Sequence, residues 1–355
     1  MSIIKHYLQA RQQKMNTSAL ADYAYLNARV SILATYLLSD THLTDFLTQP
    51  IEQQRTGIPT LDTLLENEHV SIHLVEQAWL LELLEDFKVL ARSLQGSARA
   101  FFTYWFRKYE ITNLKTLLRG KLAGLDAPTI AAQLLDVGTL AALPLEQLLR
   151  TEDVSELLRR LDNSPYGNVA RQARRVFEQD HQSYSLDAAI DRHYLLELNK
   201  RAHALDATQR QQLLPLHGIF MDRFNLLWLL RYRFAYQLSA AETYYLLIPT
   251  RYRLDRANLL HLVELNNLTE VLAHLPDSLK QLLVDANDVS SVEYRLNAEV
   301  RRVAEYTLHR HSFSLAKVIA YIVLRELEMH RMLAIIKGKR LGLKPANILI
   351  AAELQ

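Results

Sequence analysis

Residue types that do chemistry are sparse in this chain. Glu66, His69 and His73 stand at i, i+3 and i+7, which sets three metal-ligating side chains on one face of a helix. A metal-dependent helical hydrolase built on them would need matching acids and histidines from other helices, and the same pattern reads as ordinary helix surface. His309 and His311 flank Arg310 just before Ser312, where a helix start is expected, so a polar connection is the reading there. Asp191 and His193 read as helix surface, and no G-x-S-x-G elbow presents a serine for attack. With nine glycines there is no G-x-x-x-x-G-K-[ST] and no G-x-G-x-x-G to cradle phosphates. The expectation is a chain without catalytic residues, cofactor, metal or small-molecule substrate.

The elements that would position any such residues are helical. Gly and Pro number 9 each in 355 residues, too few for the turns a β-rich fold requires, while Leu, Ala, Glu, Arg and Gln are dense. An all-α fold follows. Lys plus Arg total 41 against 39 Asp plus Glu, a formal charge of +2, so no global field selects nucleic acid or an anionic bilayer. The run from Trp228 to Tyr236, with Arg231 and Arg233, has the composition of a single-strand stacking surface, but its helical period assigns the aromatics to a core. No nucleic-acid partner is expected. The absence of cysteine excludes disulfides, Cys nucleophiles and thiolate metal sites, in keeping with a reducing compartment.

The opening MSIIKHYLQARQQKMNTS lacks the apolar run of a signal peptide. The most apolar stretches, Val318 to Leu324 and Leu226 to Leu230, fall far short of the roughly 20 residues that span a bilayer. Any work at a membrane is therefore expected from outside the bilayer, as a peripheral protein. Helix-period patterns run nearly end to end, with breaks at Thr48 to Thr60, Asp162 to Asn168, Pro249 and Ser312.

Three segments superpose without gaps. Asn113-Leu-Lys-Thr-Leu-Leu-Arg119-Gly-Lys-Leu-Ala-Gly124-Leu125 matches Arg331-Met-Leu-Ala-Ile-Ile-Lys337-Gly-Lys-Arg-Leu-Gly342-Leu343. Between them, Asn225-Leu-Leu-Trp-Leu-Leu-Arg231-Tyr-Arg-Phe-Ala-Tyr236 keeps the apolar pattern and the bases but has tyrosine for both glycines. An acid stands three positions before each anchor, at Glu110, Asp222 and Glu328. Weaker echoes lie upstream at Val75-Glu76, Ile190-Asp191 and Val292-Glu293. Downstream, Val154 to Leu161 resembles Leu268 to Leu275, with Ser155 and Thr269 as candidate caps. Units of 1–132, 133–244 and 245–355 fill the chain, each far longer than the roughly 33 to 47 residues of an α-solenoid repeat. That length argues against a free-standing helical adaptor.

Each anchor reads as the last turns of a helix, with a base at the negative end of the dipole and then a Gly able to take positive φ. Gly120 and Gly338 fit this; Tyr232 does not. Ser239-Ala-Ala-Glu242 is a capping box that starts the next helix of the middle copy. The acid and base of a copy, Glu110 and Arg119 for example, are nine residues apart and so on opposite sides of one helix. They cannot pair within it. If three copies surround a pseudo-threefold axis, either the acid of one meets the base of the next, or one row faces a central cavity. The bases Arg119, Arg231 and Lys337 are the row assigned to the cavity; simple solvated helix-end charges are the alternative.

With the repeat in place, the chain resembles a component of V/A-type ATPases, the C subunit of the prokaryotic complexes and the d subunit of the vacuolar enzyme. Tyr25-Leu-Asn27-Ala-Arg29-Val30, the acid-x-x-Asn-Leu-x-x-Leu-Leu-Arg-x-Lys-x-x-Gly pattern from Glu110 to Gly124, its echo from Asp222 to Tyr236, and Glu328 to Lys339 carry the resemblance, by order and spacing. It covers almost the whole length, with Tyr232 and Tyr236 as departures. It implies three similar helical units forming a funnel-shaped single body, monomeric within a larger complex. That body would sit on the membrane proteolipid ring and receive the central stalk, built of the D and F types of subunit. The implied role is torque transmission between ATP turnover and H+ or Na+ transport, with no chemistry of its own.

Overall fold

The computed structural model describes residues 23–50, 56–67, 70–138, 141–180 and 183–354. The N-terminal stretch weighed above as a signal peptide, and His69, lie outside the described residues. Among the described residues every element is helical: α1 (23–34), α2 (Asp40–Thr48), α3 (Pro59–Leu65), α4 (Ile72–Arg92), α5 (Gly96–Leu122), α6 (Ala127–Ala131), α7 (Leu145–Leu149), α8 (Val154–Arg160) and α9 (Gly167–Asp180). They continue as α10 (Ser183–His203), α11 (Ala207–Leu230) with a π-helical extension Arg231–Ala235, α12 (Ala240–Leu246), α13 (Arg256–Val263), α14 (Leu268–Ala273), α15 (Asp277–Leu282), α16 (Val289–Arg310), α17 (Leu315–Arg340) and α18 (Pro345–Ala351). None of them is long and apolar enough to cross a membrane.

Local chemistry sets the starts. Ser71 and Ser314 accept from the amides of Leu74 and Lys317 to begin α4 and α17, and Ser239 with Glu242 forms the expected capping box at α12. The caps of α8 and α14 are Asp153 and Asn267, which accept from Glu156 and Glu270; Ser155 and Thr269 lie just inside their helices. Glu156 and Glu270 also reach back to the amides of Glu152 and Asn266, the same local device twice. Two expectations are corrected here. Glu66 caps the end of α3 while His73 belongs to α4, so the proposed metal-binding face is divided between two helices. His309 stands in the last turn of α16, not in a connection.

The described residues form two compact units. The first draws on the chain up to Phe102, Leu205–Leu216 and the stretch from Arg301; the second on Thr103–Ala204 and His217–Val300. In the first, Leu43 and Phe46 of α2, Leu61 and Leu65 of α3 and Trp79 of α4 pack with Met332, Ile335 and Ile336 of α17 and Ile348 of α18. Each such side chain withdrawn from water stabilises by about 1.5–3 kcal/mol before conformational entropy is counted. In the second, the Trp105 and Phe220 rings lie 4.8 Å apart, and the Tyr194 hydroxyl donates to the Trp105 carbonyl at 2.9 Å.

Candidate functional site

The three acids point inward. Glu110, Asp222 and Glu328 are buried, and each accepts backbone amide hydrogens from the segment that precedes a short helix. Glu110 Oε1 takes the N–H groups of Ala142 and of Leu143 (2.7 Å), just before α7, and its Oε2 takes the Tyr166 hydroxyl. Asp222 Oδ1 accepts from Leu254 at 3.1 Å, just before α13. Glu328 Oε1 accepts from Leu38 at 3.1 Å, just before α2, and its Oε2 pairs with Arg325 at 2.8 Å. Burial nonetheless pushes the Glu328 carboxyl above the usual range, against the pull of Arg325.

Eleven residues after each acid comes a second base to which the sequence reading gave no role. Lys121 donates to the carbonyls of Leu149 (2.8 Å) and Thr151 at the end of α7. Arg233 donates to Val263 O at 2.7 Å, the end of α13. Lys339 donates to the carbonyls of Phe46 (2.6 Å) and Gln49 at the end of α2. Eleven residues are three helical turns, which return nearly to the same face about 16 Å along the axis. Acid and second base therefore straddle one short helix, the acid at its positive end and the base at its negative end, as the dipole favours. Nine residues, the spacing of the first base, lead to the far side.

Between them sits a third contact. Asn113 exchanges two hydrogen bonds with the backbone of Leu135 (2.7 and 2.8 Å), and Asn225 does the same with Ile248 (2.9 and 2.8 Å). In the last copy Arg331 takes this place, donating to Ala352 O at 2.9 Å, Glu353 O at 3.0 Å and Asp40 Oδ1 at 2.9 Å. Arg301 joins Asp40 from α16, and the two guanidiniums hold the Asp40 carboxyl below its usual range although burial opposes them.

The first bases, Arg119, Arg231 and Lys337, are all exposed. Arg119 pairs with Asp187 of α10, and Lys115 with Asp191 of the same helix at 2.8 Å. The acids Glu110, Asp222 and Glu328 thus have partners in the backbone and in Tyr166 and Arg325, all different from this row of bases. The glycine assignment is also corrected. Gly120 and Gly338 remain helical; a Cβ there would lie 2.5 Å from Ile130 Cγ1 and 2.7 Å from Ile348 Cγ1, so they are small because α6 and α18 cross against them. The positive-φ residues are Gly124 (φ 66°) and Gly342 (φ 63°), whose helix ends close with Leu125 N–H to Gly120 O and Leu343 N–H to Gly338 O, both 2.9 Å. In the middle copy Tyr232 leaves no room for that crossing, and the helix ends in a π turn with Tyr236 N–H on Arg231 O at 2.9 Å. Gln237 takes the positive φ, 55°.

Among the described residues no group of three or more His, Cys, Asp or Glu is placed to hold a metal ion. The repeated polar side chains of the three anchors hold short helices to the longer ones. The chain belongs to the ATP synthase (C/AC39) subunit family, whose model matches residues 26–349. It is 28% identical over 344 residues to the C subunit of the A-type ATP synthase of Methanocaldococcus jannaschii, covering 93% of this chain and 86% of that one. It is also similar to the proteins of that name from Methanothermobacter thermautotrophicus, 24% identical with 90% and 85% covered, and Halobacterium salinarum, 22% identical with 94% and 98% covered.

Proposed function

We propose that this protein is a non-catalytic coupling component of a V/A-type rotary ATPase or ATP synthase, connecting the central stalk to the membrane proteolipid ring and passing torque between them. The family match across residues 26–349 carries the reading, since it takes in all three anchors in order. Relatives named as the C subunit of A-type ATP synthases cover the chain nearly end to end, which supports a place in the same multi-subunit assembly. On this reading the protein is peripheral, on the cytoplasmic face, with stalk proteins of the D and F type on one side and the ring on the other.

The three-unit organisation, with repeats centred on the anchors, is part of the same proposal. The polar clamps supply its logic: each anchor helix holds a short helix at both ends, giving a stiff body suited to bearing torque. The buried acids Glu110, Asp222 and Glu328 would then act by holding that body in shape, and the exposed bases Arg119, Arg231 and Lys337 would meet the partner. Co-expression with the stalk proteins and the ring from its own genome, followed by pull-down of each, tests the coupling role; retention of both partners is expected. Charge reversal of Arg119, Arg231 and Lys337 together is expected to weaken capture of one partner while the thermal midpoint stays close to that of the parent. Unchanged capture would return the three bases to plain solvated surface.

A further inference from the structure

The clamp of the middle repeat differs from the others in one respect that bears on function. Asp222 is one methylene shorter than Glu110 and Glu328, and it is completely buried. Its Oδ1 accepts from the Leu254 amide at 3.1 Å and the neighbouring Arg253 amide also pulls on the carboxylate, while Oδ2 is buried with no hydrogen-bond partner. Glu110 by contrast has donors at both oxygens, and Glu328 has an amide and a guanidinium. A buried carboxylate with one oxygen unsolvated is among the costliest groups a fold can hold, and a bound proton removes most of that cost.

We infer that Asp222 is a proton-binding site, and that its proton latches the segment 248–255 onto α11. Back along α11 that segment is met at three successive points: Asn225 on Ile248, Asp222 on Leu254, and Gly218 under the Tyr252 ring, where a Cβ would come within 2.4 Å of the ring. Only the central point titrates near neutral pH. From the segment itself Arg253 faces Asp222, but its Nη2 is 3.3 Å from Glu299 of α16, which shares its charge. Asp255, also of the segment, caps α13 through Asn258. Nearby on α11, His217 bonds Asn199 of α10 at 3.0 Å, and burial holds its pKa down to about 3, so it stays neutral. His203 of α10 bonds the Asn199 carbonyl at 2.8 Å on the exposed side. None of these groups donates a hydrogen bond to the free oxygen. Desolvation accordingly pushes the Asp222 carboxyl up to about 7, against the weaker pull of Leu254 and Arg253.

The linkage has a definite sign. The latched form binds its proton more tightly than an opened, hydrated Asp222, whose pKa is about 4, so opening becomes easier as pH rises between those values and levels off above 7. Between pH 6 and 8 the opening equilibrium should rise about tenfold. Hydrogen–deuterium exchange of the full-length protein, read by mass spectrometry and corrected for the intrinsic rate at each pH, measures this. Protection of 248–255 is expected to fall about tenfold from pH 6 to pH 8, while that of 134–138, held by the non-titrating Asn113, holds steady. In Asp222→Asn, whose side chain still accepts from Leu254 but does not titrate, the two segments should respond alike. Equal pH responses in the parent protein, or a fall at 248–255 that survives Asp222→Asn, would overturn the inference. If Asp222→Asn does not fold, the parent profile decides alone.

Discussion

The helix endings of the first and last repeats share a design that the middle one abandons. Down one face of α11 and its π-helical extension stand Phe220, Phe224, Trp228 and Tyr232, with Tyr236 just past the end, and consecutive rings are 4.8, 5.7, 6.0 and 6.2 Å apart. The matching positions are Lys108, Thr112, Thr116 and Gly120 of α5 with Gly124 just after it, and Glu326, His330, Ala334 and Gly338 of α17 with Gly342 just after it. Where the face is small, a following helix crosses in contact and a left-handed glycine closes the turn. Where it is aromatic, the crossing is blocked and the backbone takes in one extra residue as a π turn. The clamp around it nevertheless survives, with Asp222, Asn225 and Arg233 in register. Polar contacts to the backbone thus tolerate a change of surface that the close packing cannot.

This contrast is open to attack in order of expected effect. Glu110→Ala strips a hydrogen-bond partner from two amides and a buried hydroxyl, and should cost about 3–5 kcal/mol of unfolding free energy by urea titration. Asn113→Ala and Asn225→Ala each orphan one backbone N–H and one C=O. Both should cost about 2–3 kcal/mol, and by similar amounts, since the two asparagines make the same pair of bonds in endings that otherwise differ. A cost at only one of them would show that the clamp is not equivalent in the two repeats. Gly120→Ala and Gly338→Ala force Ile130 and Ile348 to move and should each lose about 1–3 kcal/mol. Gly124→Ala and Gly342→Ala meet open space and suffer only the left-handed backbone, about 1 kcal/mol by thermal midpoint. If the last two pairs came out reversed, the crossing helices would not be what keeps Gly120 and Gly338 small.

Much of this was legible before any coordinates. The scarcity of turn residues set the helical class, and the gapless superposition of Asn113, Asn225 and Arg331 located the repeated element. The nine-residue offset correctly put the acids and first bases on opposite sides, for Glu110 is buried and Arg119 exposed. The second bases Lys121, Arg233 and Lys339 stand in the repeated pattern but look like one more charge in a basic helix end; the eleven-residue return to the face of the acid was the available signal of their role. The roles of the glycines were misread because Gly120 and Gly338 follow a base as a stop signal does, and only the presence of Ile130 and Ile348 shows a helix crossing there. The short helices α6, α7, α13 and α15 have too few turns to register a period, whereas α8 and α14 showed themselves only by resembling one another. The bonds from Glu328 to Leu38 and from Lys339 to Phe46 join opposite ends of the sequence, beyond the reach of any local pattern.

Those last bonds bear on how the protein is made. The short helix α2 leaves the ribosome well before its partner, for the helix that grips both its ends comes 290 positions later. At about 5–20 residues per second, synthesis keeps α2 waiting roughly 15–60 s for α17, with Leu43 and Phe46 lacking their final cover. The second repeat, by contrast, closes within a few dozen residues of its own anchor. Nascent chains halted before α17 should therefore hold a finished middle and a tacky α2, and that helix is where a chaperone would be expected to bind during translation.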